Sequence, residues 1–422
     1  MTKFGIICPP GVGHLNNFMA LGYELRQRGH EVILFGIPDV RSYATAANIN
    51  FYPIGKNTFP VGSNQKSQQR LGELSGIFAL LYTIDSFRKG TEVLLSDVPP
   101  ACRELGIEIL LIDQVLLEGS TIAEYSNLPF ITVCSAILLN PEPTVPPTLT
   151  SWNYDPSWLG QLRNQIGSSV LELAGTPIKL LVNQYRHKWG LNSLNPDNKL
   201  DLWSKRAIIS QQPPSFEFPR QKLPDYFYFT GPLTSNISRI EIPFPWEKLN
   251  GKPLVYASLG TLQNQILGVF IQIAYACLGL DVQLVISLGG ATEPAELGYV
   301  PGSPIVVKAA PQLALLKRAH LCITHAGMNT TLESLSNGVP LVAIPITNDQ
   351  PAVAARIAWT QTGKVVALNS CNVYELKKAI AQVLSEPKYR QNALKLKADI
   401  EQAGGVTKAA DIIERASVAV PS

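Results

Sequence analysis

Short apolar runs of strand type alternate with longer stretches of helical spacing along most of the chain. Residues 3–8 are strand-like and 9–13 form a turn. Residues 14–28 put Phe18, Leu21 and Leu25 on one helical face before Gly29 ends it, and 31–36 is the next strand. A strand, glycine turn, helix and strand in that order predict a parallel sheet with crossover helices. Further strands are expected at 107–112, ending at Asp113-Gln114, and at 129–134, with a helix over 120–125 between them. Residues 140–152, rich in Pro and Thr, read as a long functional loop. Residues 158–188 read as helix broken at Gly175-Thr176-Pro177. Residues 211–239, crowded with Pro and aromatics, read as a strap leading out of the first half.

The second half repeats the alternation. Strands are expected at 253–257, 282–287, 305–308, 320–323 and 340–344. Helices are expected at 266–278, 313–318, 353–359, 373–384, 389–403 and 407–416. The predicted fold class is therefore α/β, with two facing Rossmann-like domains, parallel sheets and an interdomain cleft. We place the first domain at 1–235, with 211–239 leading into the linker, the second at 236–405, and a closing helical segment at 406–422. In open α/β sheets ligands bind at the carboxyl ends of strands. The polar motifs of this chain fall at such ends.

The most informative stretch is Thr324-His325-Ala326-Gly327-Met328-Asn329-Thr330-Thr331-Leu332-Glu333. A strand runs into a small-residue turn, and Asn329 to Thr331 open a helix that Gly338 stops. Such a turn presents free N–H groups and a positive dipole end to one point, which holds an anion such as phosphate. His325 can add a side-chain donor, and Glu333, one turn on, can accept from sugar hydroxyls. Taken alone, the same turn is equally an ordinary strand–helix junction with Asn or Thr as its cap. Three more strand ends shift the balance: Ser258 with Thr261, Gln312, and Asp349 with Gln350. Together they match a sugar nucleotide. Ser258, Thr261, His325, Asn329 and Thr330 would serve phosphates, Glu333 the ribose, and Asp349 with Gln350 the hexose.

In the first half, His14 opens a helix after a glycine turn and Asp113 ends another strand of the same sheet. A His–Asp pair there can act as a base: the carboxylate fixes the imidazole tautomer while the free nitrogen takes a proton. Both residues also fit simple capping roles. Gly11-x-Gly13 invites a dinucleotide reading, but Asn16 stands where the third glycine belongs and Asp39 alone is weak support.

At 422 residues the chain suits two domains, and 46% hydrophobic with 16% charged residues describes a globular protein. A net charge of +3 without a long basic run gives no support to nucleic-acid binding. The six scattered cysteines have neither disulfide nor metal spacing. No Asp-x-Asp, His-x-x-x-His or Cys-x-x-Cys appears, so no metal is expected, and a diphosphate would be neutralised by donors and a helix dipole. Met1-Thr2-Lys3 runs straight into a strand, and no apolar run approaches the roughly 18 residues of a spanning helix. A cytoplasmic monomer is expected. The slightly positive mean hydropathy leaves room for peripheral contact with a membrane surface.

These residues together resemble the family-one UDP-sugar glycosyltransferases of the GT-B fold. Ala310-Pro311-Gln312, Thr324 to Thr330, Glu333, Gly338-Val339-Pro340 and Asp349-Gln350 look like that family's donor signature. Within the family the chain looks most like the bacterial zeaxanthin glucosyltransferase branch, through Ile112-Asp113-Gln114, Phe218-Pro219-Arg220, Gly231-Pro232-Leu233, the stretch from Ala257 to Gln263, and Ala409 to Glu414. The resemblance implies His14 as general base with Asp113 as partner. It implies His325 on the diphosphate beside Ser258, Asn329 and Thr330, with Ala310, Gln312 and Gly327 in the same donor motif, Glu333 on ribose, and Gln350 with Asp349 on glucose. The implied reaction inverts the anomeric carbon of a UDP-glucose co-substrate without metal or other cofactor. Its implied acceptor is an apolar small molecule bearing a hydroxyl, such as a carotenoid, or else a macrolide, sterol or aromatic natural product. The final helix would cross back to the first domain. Two departures stand out: Ala309 replaces a Trp that stacks on uracil in plant members, and Asn16-Asn17 stand where Pro often follows the catalytic His. A sugar-nucleotide epimerase or a non-catalytic scaffold are the competing classes.

Overall fold

The computed structural model describes residues 1–73, 76–194, 202–235, 241–260, 266–290 and 292–418. Among them are thirteen strands in two sheets. The first sheet holds β1 (Lys3–Ile7), β2 (Glu31–Gly36), β3 (Asn50–Pro53), β4 (Ile109–Asp113), β5 (Phe130–Cys134), β6 (Ile208–Ser210) and β7 (Phe227–Phe229). Their order is 3-2-1-4-5-6-7, parallel throughout. The second holds β8 (Leu254–Ser258), β9 (Gln283–Ser287), β10 (Ile305–Val307), β11 (Ala319–Thr324), β12 (Leu341–Ala343) and β13 (Gly363–Val365). Their order is 10-9-8-11-12-13, again all parallel. The central strands β4 and β8 are buried at every position. Helices cover both faces of each sheet, so these strands are apolar on both sides.

The structure differs from the sequence expectation in several places. Asn50–Pro53 and Ile208–Ser210 form β3 and β6 where no strand was expected. The strap is not irregular throughout: Phe227–Phe229 adds a seventh strand at the edge of the first sheet. Three residues between Pro-rich flanks are too few to show alternation. Residues 40–105, to which the hydrophobic pattern gave no assignment, contain the helices Arg41–Ala46, Ser63–Glu73 and Gly76–Leu105, the last with Pro99 and Pro100 inside it. Gly363–Val365 adds β13, which the pattern also passed over.

The helix Gly405–Val418 returns to the first lobe. It buries Ala409, Ala410, Ile412 and Ile413 in the core around Phe4, Leu21 and Leu25. Arg28 fixes it by donating to Asp411 at 2.6 Å and Glu414 at 2.7 Å, and His30 meets Glu414 at 2.9 Å. At Gly231 the backbone is left-handed and a Cβ would lie 3.3 Å from the Ile400 carbonyl, so the strap passes the end of the preceding helix, Pro387–Ala403, only as glycine.

A buried ion pair joins the lobes on the strap side. Arg356, on the helix Gln350–Trp359, is 1% exposed. It donates to Glu217 Oε1 of the strap from Nε at 3.0 Å and from Nη2, and its guanidinium lies 4.2 Å over the Phe218 ring. Glu217 also accepts from Gln212 Nε2 at 3.1 Å and from the Phe218 N–H at 2.9 Å. Burial pushes the Glu217 carboxyl up, but Arg356 and Arg220 outweigh it and hold the group below its ordinary value. Removing Glu217 takes the carboxylate from buried Arg356, and removing Arg356 leaves Glu217 with Arg220 at the longer distance of 3.6 Å. Arg356→Ala should therefore cost about 3–5 kcal/mol in urea denaturation, while Glu217→Leu with Arg356→Met should cost less than either single truncation. An Arg356→Ala protein as stable as the parent would refute the assignment.

Candidate active site

In each sheet the strand order reverses beside the first strand, and a crevice opens between strands whose connections leave in opposite directions. In the first sheet the crevice lies between β1 and β4, which are hydrogen-bonded neighbours. The chain leaves β1 through a turn into the helix Val12–Gln27, whose N-cap Gly11 offers no side chain. This carries His14 to the end of β4. His14 Nδ1 lies 2.8 Å from Asp113 Oδ2 and 2.7 Å from Ser135 Oγ, and Ser135 also donates to Asp113. The other carboxylate oxygen accepts from the Val115 N–H at 3.1 Å. Asp113 is fully buried, whereas a quarter of the His14 side chain remains accessible. With Nδ1 committed to Asp113, Nε2 is the nitrogen available to a substrate. Burial disfavours the charged imidazole, but the charge and hydrogen bond of Asp113, with the charge of Asp349 from the other lobe, raise its pKa on balance.

The second crevice lies between β8 and β11, where Thr324 pairs with Ser258. After β11 comes the turn His325-Ala326-Gly327. Ala326 is fully buried with φ +65°, a left-handed conformation that is uncommon outside glycine and concentrates at functional turns. The helix Met328–Ser336 then starts at Gly327 with no side-chain cap, so its first N–H groups remain for a ligand. The His325 imidazole sits between two glycines. A Cβ at Gly260 or at Gly327 would lie 2.6 Å from its Nε2. Burial pushes this histidine down to about 4, so it is neutral at physiological pH. Ser258 is buried at the neighbouring strand end, and Ala310 packs into the core beneath. Thr261, expected beside Ser258, falls outside the described residues.

Gln312, Thr330 and Glu333 form one bonded unit. Gln312 Nε2 donates to Glu333 Oε2 at 2.6 Å and to Thr330 Oγ1 at 3.3 Å, and the Tyr256 hydroxyl donates to Gln312 Oε1 at 3.2 Å. Gln350 uses its carbonyl to accept from the Ile346 and Thr347 N–H groups at 2.8 and 2.9 Å, leaving its amide donors for a ligand. Burial raises the Asp349 carboxyl, and neighbouring His14 and the Ile137 N–H of the first lobe only partly offset this. Asp349 thus faces the imidazole across the cleft.

Asn329 is placed differently from the sequence expectation of a phosphate donor. Its Nδ2 donates to the Gly13 carbonyl at 2.8 Å, and its Oδ1 accepts from Asn17 Nδ2 at 3.2 Å and Gln211 Nε2 at 3.0 Å. The side chain bridges the lobes, and its backbone N–H stays at the helix start. Ser135, Gln211 and Tyr256 were not singled out in the sequence, and Asn17 was noted only as a departure after the catalytic His. Ser135 had a usable signal: it follows β5, the neighbour of the strand that ends in Asp113.

A cavity of about 310 Å³ lies in the first lobe, lined by Gln114, Leu138, Pro146, Leu171, Trp203 and Arg220 among others. The Pro-rich loop and the helix Trp158–Ala174 form its walls. Gln114, next to Asp113 in the chain, holds the Ile137 carbonyl at 2.8 Å and accepts from the Leu139 N–H at 3.2 Å.

Two facing parallel sheets with polar groups gathered at both switch points are the GT-B fold. The glycotransferase of kitacinnamycin has the same fold, with TM-score 0.78 and 22% identity over 98% of this chain and 99% of that one. The chain belongs to the UDP-glucoronosyl and UDP-glucosyl transferase family, whose model matches residues 83–402. It is similar to the zeaxanthin glucosyltransferase of Pantoea ananas, at 31% identity over 98% of this chain and 96% of the relative. The zeaxanthin glucosyltransferase of Pseudescherichia vulneris is 31% identical over 99% of this chain and 98% of its own. The chain is thus a glycosyltransferase with a nucleotide-sugar donor and a small-molecule acceptor.

The glycine sandwich gives a direct test of His325. Gly327 has an ordinary φ of −62°, so Ala is tolerated by the backbone and acts only by displacing the imidazole. Gly327→Ala should raise the Kd for UDP in titration calorimetry about tenfold to a hundredfold at unchanged thermal stability. Unaltered UDP affinity would remove His325 from the donor site.

Proposed function

We propose that the protein transfers glucose from UDP-glucose to the hydroxyl of an apolar small molecule, with inversion and without a metal ion. The observation that carries this reading is the placement of the His14–Asp113 pair on one lobe opposite His325 and an uncapped helix start on the other. His14 Nε2 takes the proton of the acceptor hydroxyl as its oxygen attacks the anomeric carbon. The bond to UDP breaks on the opposite face, so UDP-α-glucose yields a β-glucoside. The imidazolium that forms is stabilised by Asp113. Charge developing on the leaving diphosphate meets the N–H groups at the start of Met328–Ser336 and neutral His325, fixed donors that need no reorganisation. Glu333, oriented by Gln312, takes the ribose, and Asp349 with the amide of Gln350 takes glucose hydroxyls. The family match and the two zeaxanthin glucosyltransferases support a UDP-sugar donor and a carotenoid-like acceptor. The apolar cavity beside Gln114 supports an acceptor with a hydrocarbon body.

The test is transfer by purified protein from UDP-glucose to hydroxylated carotenoids, with macrolide, sterol and aromatic alcohols as alternatives. UDP release, product mass and anomeric configuration are followed, with and without EDTA. A β-glucoside formed equally in EDTA is expected. An α-glucoside, an isomerised sugar nucleotide without transfer, or activity restored only by Mg²⁺ would each reject part of the reading. His14→Ala should lower kcat at least about a hundredfold with UDP affinity nearly kept.

The pH profile tests the pair itself. Asp113 stabilises the protonated imidazole, so its charge should shift the acid limb of kcat/KM upward from the ordinary histidine value. Asp113→Asn removes that charge. The acid limb should move to lower pH while the plateau falls. A limb that stays in place would mean that another group titrates.

A further inference from the structure

We propose that Ser135 is a positioning residue for the base: its hydroxyl holds Asp113 and limits the grip of that carboxylate on His14. The inference rests on the reading of His14 as the base. Ser135 directly follows β5 and is 4% exposed. Its Oγ lies 2.7 Å from His14 Nδ1 and donates to Asp113 Oδ2, the same oxygen that lies 2.8 Å from Nδ1. The three atoms form a closed triangle.

That triangle holds two protons and one charged acceptor. Nδ1–H and Oγ–H are both drawn to Oδ2, because a bond to an ionised oxygen is the stronger one. A serine that served only its own chain would donate to a backbone carbonyl three or four residues back. Ser135 instead reaches across 22 positions to Asp113. It therefore shares Oδ2 with the imidazole, while the other carboxylate oxygen accepts from the Val115 N–H. A donor to the carboxylate stabilises its charge and leaves less of it to hold an imidazolium. The lone pairs of Oγ also face Nδ1–H, but a neutral acceptor counts for less than a charged one.

The seat of this hydroxyl is fixed from both lobes. The Ser135 carbonyl accepts from Asn17 Nδ2 at 3.1 Å and from Gln211 Nε2. Both amides also reach Asn329 Oδ1 on the second lobe. The Gln211 N–H adds a bond to the Cys134 carbonyl at 3.3 Å. A side chain locked by such surroundings keeps its geometry, as positioning demands.

The other ionisable groups near the imidazole do not obscure the effect. Cys8, after β1, and Cys134, on β5, stay thiols, since burial and the charge of Asp113 both raise them. Asp349 acts on His14 from the second lobe, and Arg220 acts on Cys134 from the strap. All four are common to the variants compared here.

The chain has five histidines, so the His14 ring is assigned in a nitrogen-15 spectrum as the signal lost in His14→Gln. Ser135→Ala should raise the titration midpoint of His14 by about 0.5 on the pH scale or more. Asp113→Asn should lower it. Added to Asp113→Asn, the Ser135→Ala change should move the midpoint by less than about a third as much, since the hydroxyl acts through the carboxylate. Ser135→Thr, which keeps the hydroxyl, should titrate with the parent. In turnover the acid limb of kcat/KM should follow the midpoint upward in Ser135→Ala, at unchanged Kd for UDP. A midpoint that stays or falls in Ser135→Ala, an undiminished shift beside Asp113→Asn, or the same shift in Ser135→Thr overturns the proposal. Protein that shows the expected midpoints without transferring sugar would reject the activity proposed above and still support the hold of Ser135 on the pair.

Discussion

One carboxamide keeps the two halves of the candidate site in register. Asn329, on the helix that presents N–H groups to an anion, is bonded to the turn that carries His14 and to Asn17 and Gln211 beside it. The imidazole and the helix start come from different sheets, so their separation is set by lobe contact, not by the local chain. These are neutral hydrogen bonds, each contributing about 1 kcal/mol net, and a ligand or water can replace them at little cost. The strap side is different. There Arg356 and Glu217 are both buried, and parting them would take the carboxylate from a buried guanidinium. Relative motion of the lobes is therefore easier at the mouth of the cleft than at the strap. The helix bearing Arg356 begins at Gln350, so the strongest interlobe contact also seats the loop assigned to the sugar.

The two histidines of the cleft are driven in opposite directions by their surroundings. His325 is enclosed between Gly260 and Gly327 without a carboxylate partner, and burial alone lowers its pKa to about 4. His14 is also enclosed, but Asp113 and Asp349 restore and exceed what burial removes. A pair of titratable groups pushed apart in this way suits the distinct roles proposed for them, one to accept a proton and the other to stay a neutral donor. The same imidazole chemistry serves both purposes because one lobe supplies a carboxylate and the other supplies two glycines.

The fold class was legible because the parallel strands are apolar on both faces and end in polar or glycine-rich turns. Runs such as Ile109–Asp113 and Leu254–Ser258 announce themselves by composition. What escaped was short or locally contradictory: Phe227–Phe229 between prolines, Gly363–Val365, and the helix Gly76–Leu105 that tolerates two prolines. The site divides in the same manner. Strand-end residues such as His14, Asp113, Ser258 and His325 could be picked out because a strand end is a sequence-local fact. The partners that fix them could not. Ser135 reaches His14 from 121 positions away, and Asn329 reaches Gly13 from 316. Asn329 was singled out for the right turn, yet the direction of its carboxamide depends on the opposite lobe, about which the local sequence says nothing.

Acceptor recognition is harder to read for a physical reason. The donor-side groups are polar and directional, so their spacing has chemical meaning. The cavity of the first lobe gathers its lining from Gln114, the Pro-rich loop, two helices, Trp203 and Arg220, and most of it is apolar. Hydrophobic contact has no direction, and a methylene more or less changes discrimination by only about 1–3 kcal/mol. Such a wall selects size and polarity, not a single molecule. In the proposed reaction the one strict demand on the acceptor comes from elsewhere: its hydroxyl would have to reach His14 Nε2, the nitrogen that Asp113 leaves open. On that proposal specificity would be set by the distance between an apolar enclosure and one imidazole nitrogen, a quantity that only the folded chain defines.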